Sequence, residues 1–293
     1  MIVPHLVQYQ GSKRILAPQI MKYIPDDTER IIEPFCGTCA VSIAAAASGK
    51  AEKYILNDVN AALVGMMKDC IENPEKLTAD YMKIWNGQYA DSEDNVTWFL
   101  KVRDEYNQGA QDAARMLFLL ARVVKGSIRY NVEGKMNQFC DKRRWGTKPE
   151  KIRTNAKGIS RLLKGKCEFS SVDYKEVLAK AMPGDLVYMD PPYQGTSNVR
   201  DSRYIQGVDF GEFVQELEKL NKKNVDFIVS YDGMTGNRKI GEDLPDSLEL
   251  THLYVNAGLS TQSTLNGKRE RTMESLYLSR DLGEVYGQME LAL

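Results

Sequence analysis

Residues 30–40 read RIIEPFCGTCA, and this stretch decides the fold. Ile31 and Ile32 indicate a short buried strand, and Gly37 indicates a tight turn after it. The alanine-rich sequence that follows, up to Ser48, indicates a helix. A strand, a tight turn and a helix in this order form the phosphate or nucleoside cradle of doubly wound α/β folds. Because only one of the three glycines of the dinucleotide fingerprint is present, the stretch predicts a nucleoside site of another kind.

A second strand pattern follows about twenty residues later and ends in an acid. Residues 54–57 read YILN, and the next residue is Asp58. In nucleoside-binding α/β folds an acid at this position accepts hydrogen bonds from ribose hydroxyls. The alternative is that Asp58 caps the helix that begins near Asn60, and the two roles are compatible.

A third strand pattern, residues 186–189, is followed by Asp190-Pro191-Pro192-Tyr193. A proline has no backbone N–H and holds the preceding residue extended, so this stretch presents acceptors with few competing donors. Such a site fits an amino group, and the ring of Tyr193 can stack on the flat system that carries it. A flipped nucleobase meets both conditions. Taken alone, the tetrapeptide is also a common turn signal.

Together these elements resemble the DNA adenine methyltransferases of the DPPY type, the Dam-like family that uses S-adenosyl-L-methionine (AdoMet). The resemblance runs nearly from end to end of the chain, at residues 8–13, 33–40, 57–58, 122–139, 169–173 and 190–193. The departure is Cys39, where many members carry glycine, and we expect it to tighten the packing of the loop around Gly37.

The resemblance implies an enzyme that transfers the AdoMet methyl group to the exocyclic amino group of a flipped adenine in duplex DNA. The implied catalytic residues are Asp190, Pro191, Pro192 and Tyr193. The implied cofactor contacts are Tyr9, Gly11, Ser12, Lys13, Glu33, Pro34, Phe35, Cys36, Gly37, Thr38, Asp58, Asp173 and Asp190. Among these, Lys13 belongs to an element near the methionine end of the cofactor, Asp58 to the ribose site and Asp173 to the adenine site.

The predicted fold class is α/β, with a Rossmann-like AdoMet-dependent methyltransferase sheet that ends in a C-terminal antiparallel hairpin. Helical patterns occupy most of the sequence between the second and third strands, so a mostly helical target-recognition insertion is expected. We predict a catalytic domain at residues 1–62 and 165–293 and a helical DNA-recognition domain at residues 63–164. A β-hairpin is expected near residues 127–139, around Glu133-Gly134.

The charge distribution predicts where DNA would bind. The whole chain has 39 Lys and Arg against 40 Asp and Glu, but residues 122–168 hold fourteen basic and four acidic residues. This asymmetry, with aromatic residues between the charges, favours a phosphate-binding surface over a merely solvated face. Together with the resemblance and the basic residues of two later loops, it gives the candidate DNA contacts Arg122, Lys125, Arg129, Asn131, Asn137, Lys142, Arg143, Arg144, Arg200, Lys268 and Arg269.

Several features exclude other classes. No segment resembles a signal peptide or a membrane span, so we expect a cytoplasmic protein of a bacterial or phage-like system with no membrane partner. Five cysteines at irregular spacing argue against a disulfide framework, and the pair Cys36 and Cys39 lacks a second pair, so no metal is predicted. A cognate restriction endonuclease is a candidate partner, and the oligomeric state is left open.

Three alternatives stay open at this point. The first is a methyltransferase that acts on RNA adenine or on the cytosine amine, since the tetrapeptide recognises an amine in a ring. The second is a DNA-binding module without catalysis, which the intact Asp190 and Tyr193 disfavour. The third is a nucleotide enzyme such as a kinase, but the spacing Gly-x-x-x-x-Gly-Lys of a phosphate loop is absent around Gly11-Ser12-Lys13.

Overall fold

The protein is built on an eight-stranded β-sheet. The computed structural model describes residues 2–89, 94–192, 207–235, 238–239, 241–259 and 271–290. Four predicted site residues, Tyr193, Arg200, Lys268 and Arg269, lie outside these ranges. The strands are β1 Arg30–Glu33, β2 Lys53–Asn57, β3 Cys167–Ser170, β4 Asp185–Met189, β5 Asp226–Thr235, β6 Arg238–Lys239, β7 Thr251–Leu259 and β8 Arg271–Leu278.

The strand order is β3-β2-β1-β4-β5-β8-β7, and the short strand β6 pairs with β5. Strands β1 to β5 run parallel, whereas β8 is antiparallel to both β5 and β7. The predicted α/β sheet with a C-terminal antiparallel hairpin is therefore confirmed. The chain winds outward in opposite directions from β1 and β4, and ligand sites of open α/β sheets lie at such a switch point, beyond the carboxyl ends of the strands.

Ten α-helices surround the sheet within the described ranges. They are α1 Ala17–Ile20, α2 Ala40–Ser48, α3 Ala61–Glu72, α4 Pro74–Gly87, α5 Asn95–Asn107, α6 Ala113–Arg122, α7 Pro149–Leu163, α8 Tyr174–Leu178, α9 Phe210–Lys222 and α10 Arg280–Glu290. Local sequence explains many of the boundaries. The side chains of Asp94, Asp112 and Asp209 cap α5, α6 and α9, and prolines open α4 and α7. No helix in the described ranges has the length and apolar character needed to cross a bilayer.

The core forms on both faces of the sheet, because side chains alternate along each strand. One face, with Ile31 and Leu186, belongs to a core cluster that also contains residues of α1 to α7 and Leu282 of α10. The other face, with Ile32 and Val187, is covered by α8 and α9. The helices between β2 and β3 thus share a continuous apolar core with one face of the sheet. The division of the chain into two domains stays a prediction.

The segment between α6 and α7, residues 123–148, has little regular secondary structure. It folds back on itself through the single bridges Val123↔Cys140 and Tyr130↔Met136 instead of forming a continuous ladder. The turn at the tip is closed by Asn131, whose Oδ1 accepts hydrogen bonds from two backbone amides at 3.0 and 2.9 Å. The predicted hairpin position thus holds a tight reversal with two bridges.

Candidate active site

A pocket opens at the carboxyl ends of β1 to β4, where the order of the parallel strands reverses. Each of the four strands brings an acid to it: Glu33, Asp58, Asp173 and Asp190. Every residue that the sequence predicts as a cofactor contact lies on its wall, and so do Pro191 and Pro192. The parallel topology therefore brings together motifs that are separated by more than a hundred residues.

The loop between β1 and α2 forms one wall of the pocket. Gly37 and Cys39 both adopt left-handed backbone conformations, with φ of 51° and 56°. A Cβ atom at Gly37 would lie 3.3 Å from the Tyr9 ring, so glycine lets the two elements approach each other closely. Cys39 is fully buried, and its packing offsets a backbone strain of about 1–2 kcal/mol for a residue other than glycine.

Glu33 ends β1 and holds the start of α2. Its Oε1 accepts a hydrogen bond from the backbone N–H of Ser42 at 2.6 Å, and the side chain is almost wholly buried. A carboxylate is favourable at the N-terminus of a helix, because unpaired amides point toward it. Burial nevertheless dominates and raises the pKa of Glu33 to about 7.

Asp58 ties the glycine loop to the chain that follows β2. Its Oδ2 accepts a hydrogen bond from the N–H of Gly37 at 3.0 Å, and its Oδ1 accepts one from the N–H of Asn60 at 2.9 Å. Asn60, and not Asp58, caps α3, since Asn60 Oδ1 accepts from the N–H of Leu63. The suggestion that Asp58 caps this helix is therefore wrong. Burial raises the pKa of Asp58, against the effect of its two backbone donors.

Asn57, which the sequence analysis did not single out, joins the ends of three strands. Its Nδ2 donates to the carbonyls of Pro34 at 3.0 Å and Val172 at 3.1 Å. Its Oδ1 accepts from the Ser170 hydroxyl at 2.7 Å and from the N–H of Val172 at 3.0 Å. A polar residue in a strand that is otherwise apolar was the available signal. These bonds fix the pocket floor.

Asp173 lies at the far end of the pocket, beside an aromatic wall. Its Oδ1 accepts a hydrogen bond from the N–H of Lys175 at 2.9 Å and caps the short helix α8. The rings of Phe35 and Tyr174 lie 5.2 Å apart next to it. This end of the pocket therefore combines an acid with a flat apolar surface, which suits a heteroaromatic ring.

Asp190 follows β4 and is paired with a cation. Lys13 donates to Asp190 Oδ1 at 2.6 Å and also lies 3.1 Å from Glu274 Oε1. Burial raises the pKa of Asp190 to about 6. The neighbouring Lys13 ammonium acts against this shift, whereas the Glu274 carboxylate adds to it. The sequence placed Lys13 near the cofactor, and the structure places its ammonium directly on Asp190.

Glu274 was missed by the sequence analysis. It lies in β8, on the same side of the strand as the buried residues Leu276 and Leu278. A charged residue on the apolar face of a predicted strand was the available signal, because such residues seldom lie inside without a partner. Its partner, Lys13, lies far away in the sequence, so the pair could not be predicted from local patterns.

The 123–148 segment adjoins the pocket through three contacts. The N–H of Gln10 donates to the carbonyl of Gly126 at 3.0 Å, and a Cβ at Gly126 would lie 2.1 Å from the carbonyl oxygen of Gln8. The amide of Asn60 donates to the hydroxyl of Tyr130 at 3.3 Å. The predicted DNA-binding segment therefore borders the residues that line the pocket.

Most of the predicted DNA contacts within the described ranges are surface residues. Lys125, Arg129, Asn137, Lys142, Arg143 and Arg144 are exposed. Asn131 is half-buried, and its Oδ1 is occupied by the turn described above. The exposed cations present a basic surface next to the mouth of the pocket.

Arg122 is a correction, because its side chain is fully buried. Its guanidinium donates to Gln88 Oε1 and, at 3.2 Å, to Asn95 Oδ1. The same group lies about 6 Å from the rings of Phe99 and Phe118, at 6.0 and 5.9 Å. Arg122 therefore joins α4, α5 and α6 inside the helical layer and cannot contact a phosphate.

Comparison with known proteins gives a consistent set of relatives. The family model for D12 class N6 adenine-specific DNA methyltransferases matches residues 9–273. The "DNA N-6-adenine-methyltransferase" of Escherichia phage P1 is 27% identical over 274 residues, which are 89% of this chain and 34% of that protein. The "Retron Ec67 DNA adenine methylase" of Escherichia coli is 28% identical over 200 residues, 65% of this chain and 64% of that protein.

In a third relative the match covers a larger share of the relative's own length. The "Type II methyltransferase M.MjaIII" of Methanocaldococcus jannaschii is 25% identical over 256 residues, 78% of this chain and 87% of that protein. By contrast, the chain spans about a third of the length of the phage protein and less than two thirds of the retron protein.

Proposed function

The chain belongs to the D12 class of N6 adenine-specific DNA methyltransferases, and we propose that it transfers the AdoMet methyl group to the exocyclic amine of an adenine in duplex DNA. The observation that carries this proposal is the state of Asp190. Its Oδ1 is held by Lys13, whereas Oδ2 has no protein donor among the described residues. One carboxylate oxygen is thus anchored and the other is open to a ligand in the pocket.

An open acceptor at this position suits the chemistry of the amine. The lone pair of the adenine amino nitrogen is delocalised into the ring, so the nitrogen is a poor nucleophile. Asp190 Oδ2 and the carbonyl of Pro191 would accept its two hydrogens and draw the nitrogen toward tetrahedral geometry. Because only the ionised Asp190 accepts in this way, we expect methyl transfer to slow as the pH falls through about 6, the pKa of Asp190.

Such a contact requires the adenine to leave the base stack, since its amine cannot otherwise reach a pocket at the end of a strand. The neutral ring would then lie against Pro192, and Tyr193 would stack on it, as the sequence predicts. Tyr193 lies outside the described residues. Base flipping and the stacking role are therefore parts of the proposal.

The pocket residues fit AdoMet, whose sulfonium and ammonium groups are both positive. Four acids line the pocket, and Lys13 is bound to one of them, so the site favours a cation. Gly37 leaves the wall free of a side chain where the loop meets Tyr9. When bound, AdoMet supplies an electrophilic methyl group on sulfur.

Individual residues would hold different parts of the cofactor. Asp58 would accept from the ribose hydroxyls, and Asp173 would bind the adenine beside the Phe35 ring. The loop from Tyr9 to Ser12 would surround the methionine end. Each of these residues would keep the cofactor in one orientation, so that the methyl group faces the Asp190 end of the pocket.

Duplex DNA would bind on the basic surface of the 123–148 segment, where exposed cations can neutralise phosphates. M.MjaIII carries the name of a type II methyltransferase. We therefore propose that a cognate restriction endonuclease accompanies this chain. Co-expression tests this, because DNA methylated by the chain would resist cleavage by that nuclease.

The proposal is tested with tritiated AdoMet and parallel samples of duplex DNA, single-stranded DNA and RNA. We expect transfer to adenine N6 of duplex DNA. Asp190→Ala should lower kcat by about 10²–10³-fold or more, because the acceptor of the amine is lost. Its AdoMet affinity, measured by calorimetry, should fall far less than kcat, because Asp190 only borders the cofactor and three other acids of the pocket remain.

A matched control is Asp246→Ala, which removes an exposed acid beside α9 on the far face of the sheet. It should leave both quantities unchanged. Near wild-type turnover of Asp190→Ala would contradict the catalytic assignment, and preferred labelling of RNA or of cytosine would replace the proposed substrate.

A further inference from the structure

The ammonium of Lys13 lies between two carboxylates on different elements. It is 2.6 Å from Asp190 Oδ1, at the end of β4, and 3.1 Å from Glu274 Oε1, in β8. The three side chains are 7%, 19% and 10% exposed, respectively. A single buried cation is thus shared by the buried Glu274 and the half-buried Asp190, and it also donates to the carbonyl oxygen of Gly11 at 3.4 Å.

The strand that carries Glu274 is brought unusually close to its neighbour. A Cβ at Gly233 of β5 would lie 2.0 Å from the carbonyl oxygen of Met273 and 2.8 Å from the Cα of Glu274. The register of the β5–β8 pair shifts between Tyr231 and Met234, as expected for a bulge. Bulges next to active sites commonly re-aim a side chain. Here two residues of β5, one of them Gly233, lie opposite Glu274, so the bulge brings the β5 backbone close to the strand that carries this acid.

Buried acids seldom persist without a function or a partner, because their desolvation is unfavourable. Glu274 adds a second acid beside a pair that Lys13 and Asp190 could form alone. For the stability of the fold, the charge of Glu274 is unfavourable, because it repels the Asp190 carboxylate on the other side of the same ammonium. The arrangement is better explained by an effect on Asp190.

We propose that Glu274 is a positioning residue for methyl transfer, which acts on Asp190 by holding one side of the Lys13 ammonium. This inference rests on the proposed function. With Glu274 in place, the ammonium is shared between the two acids and the carbonyl oxygen of Gly11, 3.4 Å away, and it meets Asp190 at Oδ1. Without it, the ammonium would turn fully toward Asp190 and bridge both of its oxygens, so that Oδ2 is no longer available to the amine.

The same three side chains also determine how readily Asp190 ionises. A carboxylate at position 274 makes Asp190 harder to ionise, and the Lys13 ammonium makes it easier. The other ionisable groups with an electrostatic effect in this cluster come from the strand ends and from β4. They are Glu33, Asp58 and Tyr188. Removal of Glu274 should therefore lower the pKa of Asp190.

The first test needs neither cofactor nor DNA. Carboxyl carbons of labelled aspartate are followed by NMR as a function of pH, and the Asp190 signal is assigned with Asp190→Asn. In Glu274→Gln we expect Asp190 to titrate at lower pH than in the wild type. The matched control is Glu168→Gln, an exposed acid on the edge strand β3, which should leave the Asp190 titration unchanged.

The second test measures turnover. Glu274→Gln should lower kcat by about 10- to 100-fold, because Oδ2 is misplaced, with KM for AdoMet and DNA within about twofold. The acidic limb of its pH profile should move to lower pH. Glu274→Asp keeps the charge but shortens the side chain, so its acidic limb should match the wild type and its loss of kcat should be smaller.

The outcomes separate the two proposals. An unmoved Asp190 titration or a wild-type kcat in Glu274→Gln overturns the positioning role. If that variant does not fold, Glu274→Asp decides: a reduced kcat at unchanged KM supports the role, and a wild-type kcat overturns it. A wild-type protein that methylates no nucleic acid overturns the proposed function instead, while the NMR titration still tests the coupling of Glu274 to Asp190.

Discussion

The pocket and the 123–148 segment are held together in opposite ways. In the pocket, Glu33 is buried and Asp58 half-buried, and each accepts hydrogen bonds from the backbone of another element. In the segment, charged groups such as Arg129 and Lys142 are exposed, and short turns hold the backbone. Buried polar bonds fix the geometry that chemistry needs, whereas exposed cations can change without loss of the fold. The difference leads us to expect that the proposed methyl transfer and the proposed DNA contact can be altered separately.

Arg122 is the residue that breaks this contrast, since it is a fully buried cation at the end of α6, directly before the segment. Arg122→Ala would leave the buried oxygens of Gln88 and Asn95 without their donor and open a cavity between two rings. We expect it to lower the free energy of unfolding by about 3–5 kcal/mol. Urea unfolding without DNA measures this.

The control for that prediction is Arg129→Ala, which removes an exposed cation from the 123–148 segment. It should change the free energy of unfolding by less than about 0.5 kcal/mol. Equal losses in the two variants would mean that Arg122 is not a buried structural residue of the helical layer.

Glu33 sharpens the comparison from the side of the pocket. Its pKa in the folded protein is about 7, against 4.5 for an ordinary glutamate. The folded state therefore binds this proton more tightly than the unfolded state, so the contribution of Glu33 to stability falls as the pH rises from about 4.5 to about 7. The folded protein is thus less stable with Glu33 ionised than with Glu33 protonated.

Glu33→Gln removes this dependence and keeps an oxygen to accept from the N–H of Ser42. At about pH 8 the variant should be more stable than the wild type by up to about 3 kcal/mol, and at about pH 4 the two should agree. Urea unfolding at the two pH values checks this. A variant that is less stable at both pH values would show that the interaction of the Glu33 carboxylate with the N-terminus of α2 outweighs the unfavourable effect of its burial.

The sequence was informative wherever the signal is local. Apolar residues and the alanine-rich run predicted a short strand at Ile31 and Ile32 and a helix that ends at Ser48, and the structure confirms both as β1 and α2. The motif residues of the pocket were also predictable, because each lies directly after a strand. The ends of parallel strands meet at one edge of the sheet, so a correct strand assignment already brings these residues together.

Long-range pairs were not predictable in this way. Glu274 meets Lys13 only because β8 inserts beside β5, and Asn57 matters only because three strand ends converge on it. Arg122 looked like any other basic residue of its region. Its spacing of four from the buried Phe118, on the same face of α6, was the signal that it points inward.

The last prediction has the smallest expected effect on folding and concerns the exposed cluster Lys142, Arg143 and Arg144. Asp141, which is buried, holds the two arginines, with its Oδ1 3.1 Å from Arg143 Nε and its Oδ2 3.3 Å from Arg144 Nε. These contacts orient the guanidinium groups but leave them exposed, with side chains 87% and 53% accessible. Groups held in this way are suited to phosphate contacts that carry no sequence information.

Replacing the three residues with Gln should leave the free energy of unfolding within about 0.5 kcal/mol of the wild type. Binding to all duplex DNA sequences should weaken alike, and the slope of log K against log salt concentration should become shallower by about two to three, since each lost phosphate contact contributes about 0.9. The control replaces Lys219 and Lys222 of α9 and the next residue, Lys223, which removes the same charge from the opposite face of the sheet. Equal slope changes would indicate a general effect of net charge. An unchanged slope in the first variant would make the cluster a solvated face, and DNA would then contact another basic region of the chain.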